Sequence, residues 1–286
     1  MNDALVEPAP ARVAWVVGAG FLGMALHELL VEEGWASWRV DNDPARADCV
    51  LDAADAAVLS SCGLPRPDAV FLCMSTRGGD AAAYGRLYVK AARAAVSCCP
   101  GARIVLCSST SVYGVEDGSF VDETTACRPL REHGRVLLDA ERVVREAGGL
   151  VARLSVLYGP GRCRAVQGYM AGEDCLAGDW DRWINFIHRD DAAAALLSMA
   201  GNAPSGAVWN VSDATPMQKG QLFSLMWEST GLPFPAGKSR RALRRATNQR
   251  VDASALSLLG WVPAYPSFAS ALPEVLASLV GEGVQE

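Results

Sequence analysis

The sequence predicts an α/β fold, a doubly wound parallel sheet followed by a smaller, partly interleaved C-terminal lobe. Three observations predict it. Short apolar runs of strand length alternate with segments of helical period along the first half of the chain. A glycine-rich turn closes the first apolar run and opens the first helical segment. After Tyr158 the texture loosens, beginning with Gly159-Pro160-Gly161, and regular periods become sparse.

Taken in order, Arg12 to Val17 (RVAWVV) reads as a buried strand. Phe21 to Glu33 puts Leu22, Ala25, Leu26, Leu29 and Leu30 on one helical face, and Gly34 stops it. Trp35 to Val40 is the next strand, and Ala69 to Met74 another. An Ala-rich helix spans Asp80 to Ser97, then Pro100-Gly101 turns the chain into the strand Arg103 to Cys107. A helix over Arg131 to Ala147 and a strand over Leu150 to Leu154 continue the alternation. Strand, helix, strand at short spacing means parallel pairing, because parallel neighbours need a crossover between them. Further on, helices are expected at Asp190 to Ala200, Pro216 to Thr230 and Pro266 to Leu279, with a strand at Ala207 to Val211. The expected division is 1–158 for the sheet domain and 159–286 for the lobe, with 184–211 returning to the sheet domain.

Composition narrows the function classes. Of 286 residues, 50% are hydrophobic and 20% charged, which supports a packed core and excludes disorder. No apolar run reaches the roughly 20 residues of a bilayer span, and Met1 to Arg12 lacks a basic-then-apolar leader pattern, so a soluble cytoplasmic protein is expected, without a membrane partner. A net charge of −6 argues against a nucleic-acid partner. The nine cysteines show no paired Cys-x-x-Cys motif, and Cys73 and Cys107 sit in apolar runs, so neither a disulfide framework nor a metal site is supported.

Gly18-Ala19-Gly20-Phe21-Leu22-Gly23 is G-x-G-x-x-G between strand and helix. The first glycine permits the tight turn, the second lets a diphosphate approach the backbone, and the third lets the helix pack on the strand. N–H groups at the helix start then bind the phosphates. Asp41 lies 18 residues beyond Gly23, at the end of the second strand, where a carboxylate would accept from ribose hydroxyls and repel a 2′-phosphate. The expected cofactor is NAD rather than NADP. The alternative is a purely structural turn with Asp41 solvated.

Five stretches in order make the chain resemble the extended short-chain dehydrogenase/reductase superfamily, the nucleotide-sugar epimerases and dehydratases. They are the glycine turn; Asp52-Ala53-Ala54-Asp55, like the D-x-x-D adenine contact; Cys107 to Gly114 (CSSTSVYG), like SS-x-x-VYG; Arg153 to Gly161 (RLSVLYGPG), like R-x-x-x-x-YGPG; and Ile187 to Asp191 (IHRDD), like IHVDD. The resemblance implies a Rossmann domain holding a dinucleotide, with the nicotinamide near Met74, Ser75 and Ser109, and a lobe that shapes the substrate pocket. It also implies that Ser109 polarises a substrate oxygen, beside Thr110.

The family's Tyr-x-x-x-Lys pair is missing. Register set by Asp139-Ala140-Glu141 places His133 where the resemblance expects tyrosine and Leu137 where it expects lysine. Leu137 carries no charge, so the usual lowering of a phenol's pKa is absent. The chain looks like the atypical branch. Three roles stay open to His133: an acid or base in its own right, a residue of a solvated helix start, or a pocket wall that moves no proton. Ser109 could equally satisfy loop backbone. Tyr113 and His188 read as structural, with Asp190 or Asp191 capping the following helix, and His27 as structural too.

Lys238 to Arg250 holds six basic residues and no acid, just before Asp252 to Trp261 (DASALSLLGW), which resembles the segment following the family's diphosphate-binding arginine. Arg245 stands for that run as a substrate contact, and Arg162 after YGPG is a second, since guanidinium binds phosphate or carboxylate in a fork. The alternative is a solvated basic face. The implied function is an NAD-dependent oxidoreductase or epimerase-type enzyme on a small polar, sugar or nucleotide-sugar-like substrate. The rival is a non-catalytic NAD(P)-binding sensor or scaffold. Family members often pair through helices beside the fifth strand, which leaves a homodimer open.

Overall fold

The computed structural model describes residues 11–76, 80–172, 180–234 and 247–281. In chain order, β1 (Val13–Val17), α1 (Phe21–Glu32), β2 (Ala36–Asp41), β3 (Cys49–Val50), α2 (Ala56–Ser60) and β4 (Ala69–Leu72) come first. Next, α3 (Ala81–Tyr84) runs through a π-helical turn at Gly85–Lys90 into α4 (Ala91–Cys98). β5 (Arg103–Ser109), β6 (Phe120–Val121), α5 (Glu132–Glu146), β7 (Leu150–Leu154), β8 (Val156–Tyr158) and α6 (Arg164–Met170) follow. The remainder is β9 (Trp183–Ile184), β10 (Phe186–His188), α7 (Arg189–Asn202), β11 (Val208–Val211), β12 (Met217–Gln218), α8 (Lys219–Thr230), β13 (Arg250–Val251) and α9 (Phe268–Gly281).

Seven strands form one parallel sheet in the order β11-β7-β5-β4-β1-β2-β3. The chain winds outward from β1 through β2 and β3, then crosses back to β4 on the other side of β1. That reversal opens a crevice beyond the carboxyl ends of β1 and β4, where doubly wound folds hold ligands. The strands are apolar along their whole length because both faces are covered. Ala14, Val16, Phe71 and Val105 face α1 and α7, while Trp15, Val17, Val70 and Leu106 face α4 and α5. Leu137 of α5 lies in that second layer, buried, where burial of such a side chain contributes about 1.5–3 kcal/mol. A separate apolar cluster built on Tyr158, Tyr169, Phe186, Phe223 and Phe268 forms under α6, α8 and α9.

Three local expectations change. The helix expected over Asp80 to Ser97 contains the π-helical turn, which brings Tyr84 and Tyr88 into a stack at 5.2 Å and lets the Tyr88 hydroxyl donate to the Met74 carbonyl at 3.0 Å. The helix expected from Pro216 starts at Lys219, because Met217 and Gln218 pair antiparallel with Ile184 and Trp183 and Gln218 caps the helix. His188, not Asp190 or Asp191, caps α7: its Nδ1 accepts from the Asp190 N–H at 3.3 Å. Asp191 instead accepts from the N–H groups of Ala264 and Tyr265 at 2.7 and 2.9 Å, fastening the later lobe to α7.

Candidate active site

The glycine turn sits at the mouth of the crevice. Gly18 has φ +92, and a Cβ there would stand 2.7 Å from the Met74 nitrogen and 2.8 Å from its Cα, so only glycine lets β1 and β4 end this close together. A Cβ on Gly23 would run into the Gly18 carbonyl, which fixes α1 against the turn. Gly20 differs. A Cβ there would meet nothing within 4 Å, so this side of the turn is open, beside the start of α1, which has no side-chain cap.

A cavity of about 490 Å³ extends from this turn in both directions, a size in the range of small-molecule and cofactor clefts. On the β2 side its wall includes Asp41, Arg46, Asp52 and Ala53; on the β4 and β5 side, Met74, Ser75, Tyr88 and Ser109; Gly18, Gly20, Phe21 and Leu22 form the middle, and Arg162 closes the rim. The sequence-predicted cofactor residues therefore share one cleft, except Gly23, which is packed behind the turn. Asp41 has a second task that sequence reasoning missed. Its carboxylate accepts from the Ala19 N–H at 2.8 Å and the Asp43 N–H at 3.0 Å, bracing the turn from the end of β2. Arg46, paired with Asp43 at 3.2 Å, was also missed, since only the fold curls it back toward β2.

At the other end, Ser109 Oγ accepts from the Ser111 N–H at 3.2 Å, which leaves its own proton to donate into the cleft. His133 does not line the cavity, and its half-buried ring stands edge-on to Tyr84 at 4.7 Å. The aromatic pair Tyr84 and Tyr88 occupies that flank, and Tyr88 is the member exposed to the cleft. Burial pushes the Tyr88 phenol well above its usual range, and its proton is committed to the Met74 carbonyl, so it shapes the wall rather than exchanging protons. Thr110 is also outside the wall; it is buried and its carbonyl accepts from Gln249 Nε2 at 2.8 Å. Arg245 lies outside the described residues.

Behind Ser109 a buried ionic network holds β5, α5 and β7 together. Glu141 accepts from Arg153 Nη2 at 2.7 Å and Nε at 3.1 Å, and from Ser108 Oγ at 2.6 Å. Arg153 lies over the Tyr113 ring at 5.0 Å, and the Tyr113 hydroxyl donates to Asn210 Oδ1 at 2.6 Å. Tyr113 is thus spent on structure. Among the described residues, no helix is long and apolar enough to cross a membrane.

A parallel sheet of this order, with a glycine turn at its switch point and an acidic brace on the next strand, defines a dinucleotide-binding protein of the extended short-chain type. Comparison gives the family directly. The model of the NAD dependent epimerase/dehydratase family matches residues 14–212, and the chain belongs to that family; its cofactor is NAD. The chain is 27% identical over 278 residues to protein YeeZ of Escherichia coli, covering 88% of this chain and 95% of that one. It is 31% identical over 166 residues to 2'-dehydrokanamycin reductase of Streptomyces kanamyceticus, covering 50% of this chain and 47% of the reductase. Among solved structures, MoeE5 in complex with UDP-glucuronic acid and NAD superposes with a TM-score of 0.76 at 26% identity, over 95% of this chain and 100% of that one.

Proposed function

We propose that the chain is an NAD-dependent oxidoreductase or epimerase-type enzyme acting on a small polar, sugar or nucleotide-sugar-like substrate. The observation that carries this reading is the single cleft that joins the glycine turn to Ser109. In it Gly18, Gly20, Phe21 and Leu22 form the diphosphate cradle, with Gly23 packed behind the turn to hold it; Asp41, Asp52 and Ala53 border the adenosine end, and Met74 and Ser75 border the nicotinamide. NAD supplies hydride acceptance and donation when bound. Ser109 donates its hydroxyl proton to a substrate oxygen and so fixes the carbon to be oxidised or reduced. His133, behind Tyr84, is assigned to positioning of that flank. Arg245, with the basic run around it, is assigned to a substrate anion. The sugar class is supported by the UDP-glucuronic acid held by MoeE5 and by the 2'-dehydrokanamycin named for the Streptomyces reductase.

The test follows NADH absorbance over a panel of sugar and nucleotide-sugar carbonyls with the parent, Ser109→Ala and His133→Ala. Loss of about a hundredfold in turnover is expected for Ser109→Ala, with a smaller loss for His133→Ala. Unchanged turnover in Ser109→Ala refutes the assignment. A second reading, a cofactor-binding sensor or scaffold, is favoured by the retreat of His133 from the cleft and the burial of Leu137. Cofactor binding with no turnover across the panel decides for it.

A further inference from the structure

Two thiols lie side by side in the wall of the cleft. Cys73 follows directly on β4 and Cys107 stands within β5; Leu72 pairs with Leu106 in parallel register, so the two cysteines are the next residues along neighbouring strands. Neighbours of this kind are about 4.8 Å apart, inside the span of about 4.4–6.8 Å that a disulfide allows between Cα atoms. Alternation along the strands sends both side chains to one face, and Phe71, Cys73, Val105 and Cys107 all join the apolar layer under α1 and α7. The result is a distance of 3.7 Å between the sulfurs of two free thiols. Both residues are buried, yet both border the cleft between the glycine turn and Ser109.

Apolar packing accounts for a single cysteine in such a strand, whereas two in contact at the edge of a cleft form a unit that a small oxidant can reach. The contact with Cys107 and burial push the Cys73 thiol well above its usual range, so the pair is held as two thiols at neutral pH and its oxidation quickens as pH rises. We propose that Cys73 and Cys107 form a reversible disulfide in the wall of the dinucleotide cleft, made by a peroxide when the cleft is free and withheld when the dinucleotide covers the pair. One sulfur, as thiolate, attacks a peroxide oxygen; the O–O bond breaks, hydroxide leaves and takes up a proton as water, and a sulfenic acid remains. The other sulfur, losing its own proton, attacks the first; the S–O bond breaks, the S–S bond forms and a second water departs. Two thiols and one hydrogen peroxide thus give one disulfide and two waters, with two electrons passing from the sulfurs to the peroxide oxygens. Closure draws the sulfurs to about 2.05 Å and pulls on Cys73. Its N–H donates to the Val17 carbonyl at 2.8 Å, and its carbonyl carbon would stand 2.9 Å from a Cβ on Gly18. The pull therefore reaches the glycine turn, and the oxidised protein binds the dinucleotide less tightly. This rests on the cofactor placement proposed above.

The experiment treats the cofactor-free protein with hydrogen peroxide across about pH 7 to 9, traps free thiols by alkylation under denaturing conditions and maps the peptides by mass spectrometry. A cross-link between Cys73 and Cys107 should form faster as pH rises, open again with dithiothreitol and be absent from Cys73→Ala and Cys107→Ala. Saturating NAD should slow it about tenfold or more, because only the free cleft exposes the pair. NADH affinity, read by fluorescence, should fall about fivefold or more in the oxidised parent and return on reduction, while the same treatment leaves the affinity of Cys73→Ala where it was before peroxide. Oxidation of either cysteine to sulfinic acid without a cross-link overturns the proposal. So does a cross-link that forms equally fast with NAD bound, or one that leaves NADH affinity unchanged; in each of these cases the cofactor reading stands. A protein that forms the cross-link but binds no NADH removes the cofactor reading, and the gating with it, while the disulfide remains.

Discussion

Replacing Asp41 with alanine separates two tasks that the fold assigns to one carboxylate. The Ala19 N–H from which it accepts belongs to a buried residue and lies 2.8 Å from Oδ2. A hydrogen bond to a charged acceptor is worth about 1.5–3 kcal/mol, and the half-exposed Asp43 N–H adds about 0.5–1 kcal/mol, so Asp41→Ala should lose about 2–4 kcal/mol of stability. Asp41→Asn keeps one carbonyl acceptor and should recover about half. The charge itself should matter elsewhere, against a 2′-phosphate. One such interaction at a half-exposed site is worth about 1–2 kcal/mol, so both variants should narrow the preference for NADH over NADPH by roughly five- to thirtyfold. Urea unfolding followed by tryptophan fluorescence reads the first effect, and paired NADH and NADPH titrations read the second. A parent-like urea midpoint in Asp41→Ala refutes the brace. A parent-like cofactor ratio in both variants refutes the ribose contact.

Other positions give sharp outcomes. Glu141→Ala strands Arg153 without its partner in the sheet and should cost about 3–5 kcal/mol, whereas Glu141→Ala with Arg153→Met should cost less than the two single changes added, as a double-mutant cycle of unfolding free energies would show. Asp213 is almost fully buried, and burial raises its carboxyl from 3.8 to about 7. A folded value above the unfolded one means that the contribution is complete below about pH 4 and is lost as pH rises through about 7, a change of about 4 kcal/mol at most. Asp213→Asn should flatten that slope in unfolding curves collected across this range; an unchanged slope contradicts the assignment. Gly18→Ala must both adopt φ +92 and push Met74 aside, so it should lower the melting temperature as well as cofactor affinity.

The strands and the glycine turn were legible in the sequence because both are local: a buried parallel strand is an apolar run, and G-x-G-x-x-G encodes a turn within six residues. The cleft followed from these, since Asp41, Asp52 and Met74 all sit at strand ends or just beyond them, at the carboxyl edge of the sheet. What escaped depends on contacts far apart in sequence. The brace from Asp41 to Ala19 joins positions 22 apart, and no period announces it. Helical spacing over Asp80 to Ser97 gave no sign of the π-helical turn, yet that turn sets Tyr84 and Tyr88 in the flank beside His133. The cap on α7 was misplaced for a similar reason: aspartate is the commoner cap, but Asp191 is engaged with Ala264 and Tyr265 across the lobe. The seating of the Arg162 guanidinium over the Phe21 ring could be found only once the two turns were seen to pack together.

The most direct measurement is the pair of Gly20→Ala affinity and stability. Gly20 has an ordinary φ of −85, and an added Cβ meets no protein atom within 4 Å. The methyl group should therefore leave the melting temperature unchanged or slightly raised. It would project into the space assigned to the diphosphate, so NADH affinity should fall by about tenfold or more. Parent-like NADH affinity in a normally folded Gly20→Ala protein would contradict the claim that this turn cradles the dinucleotide.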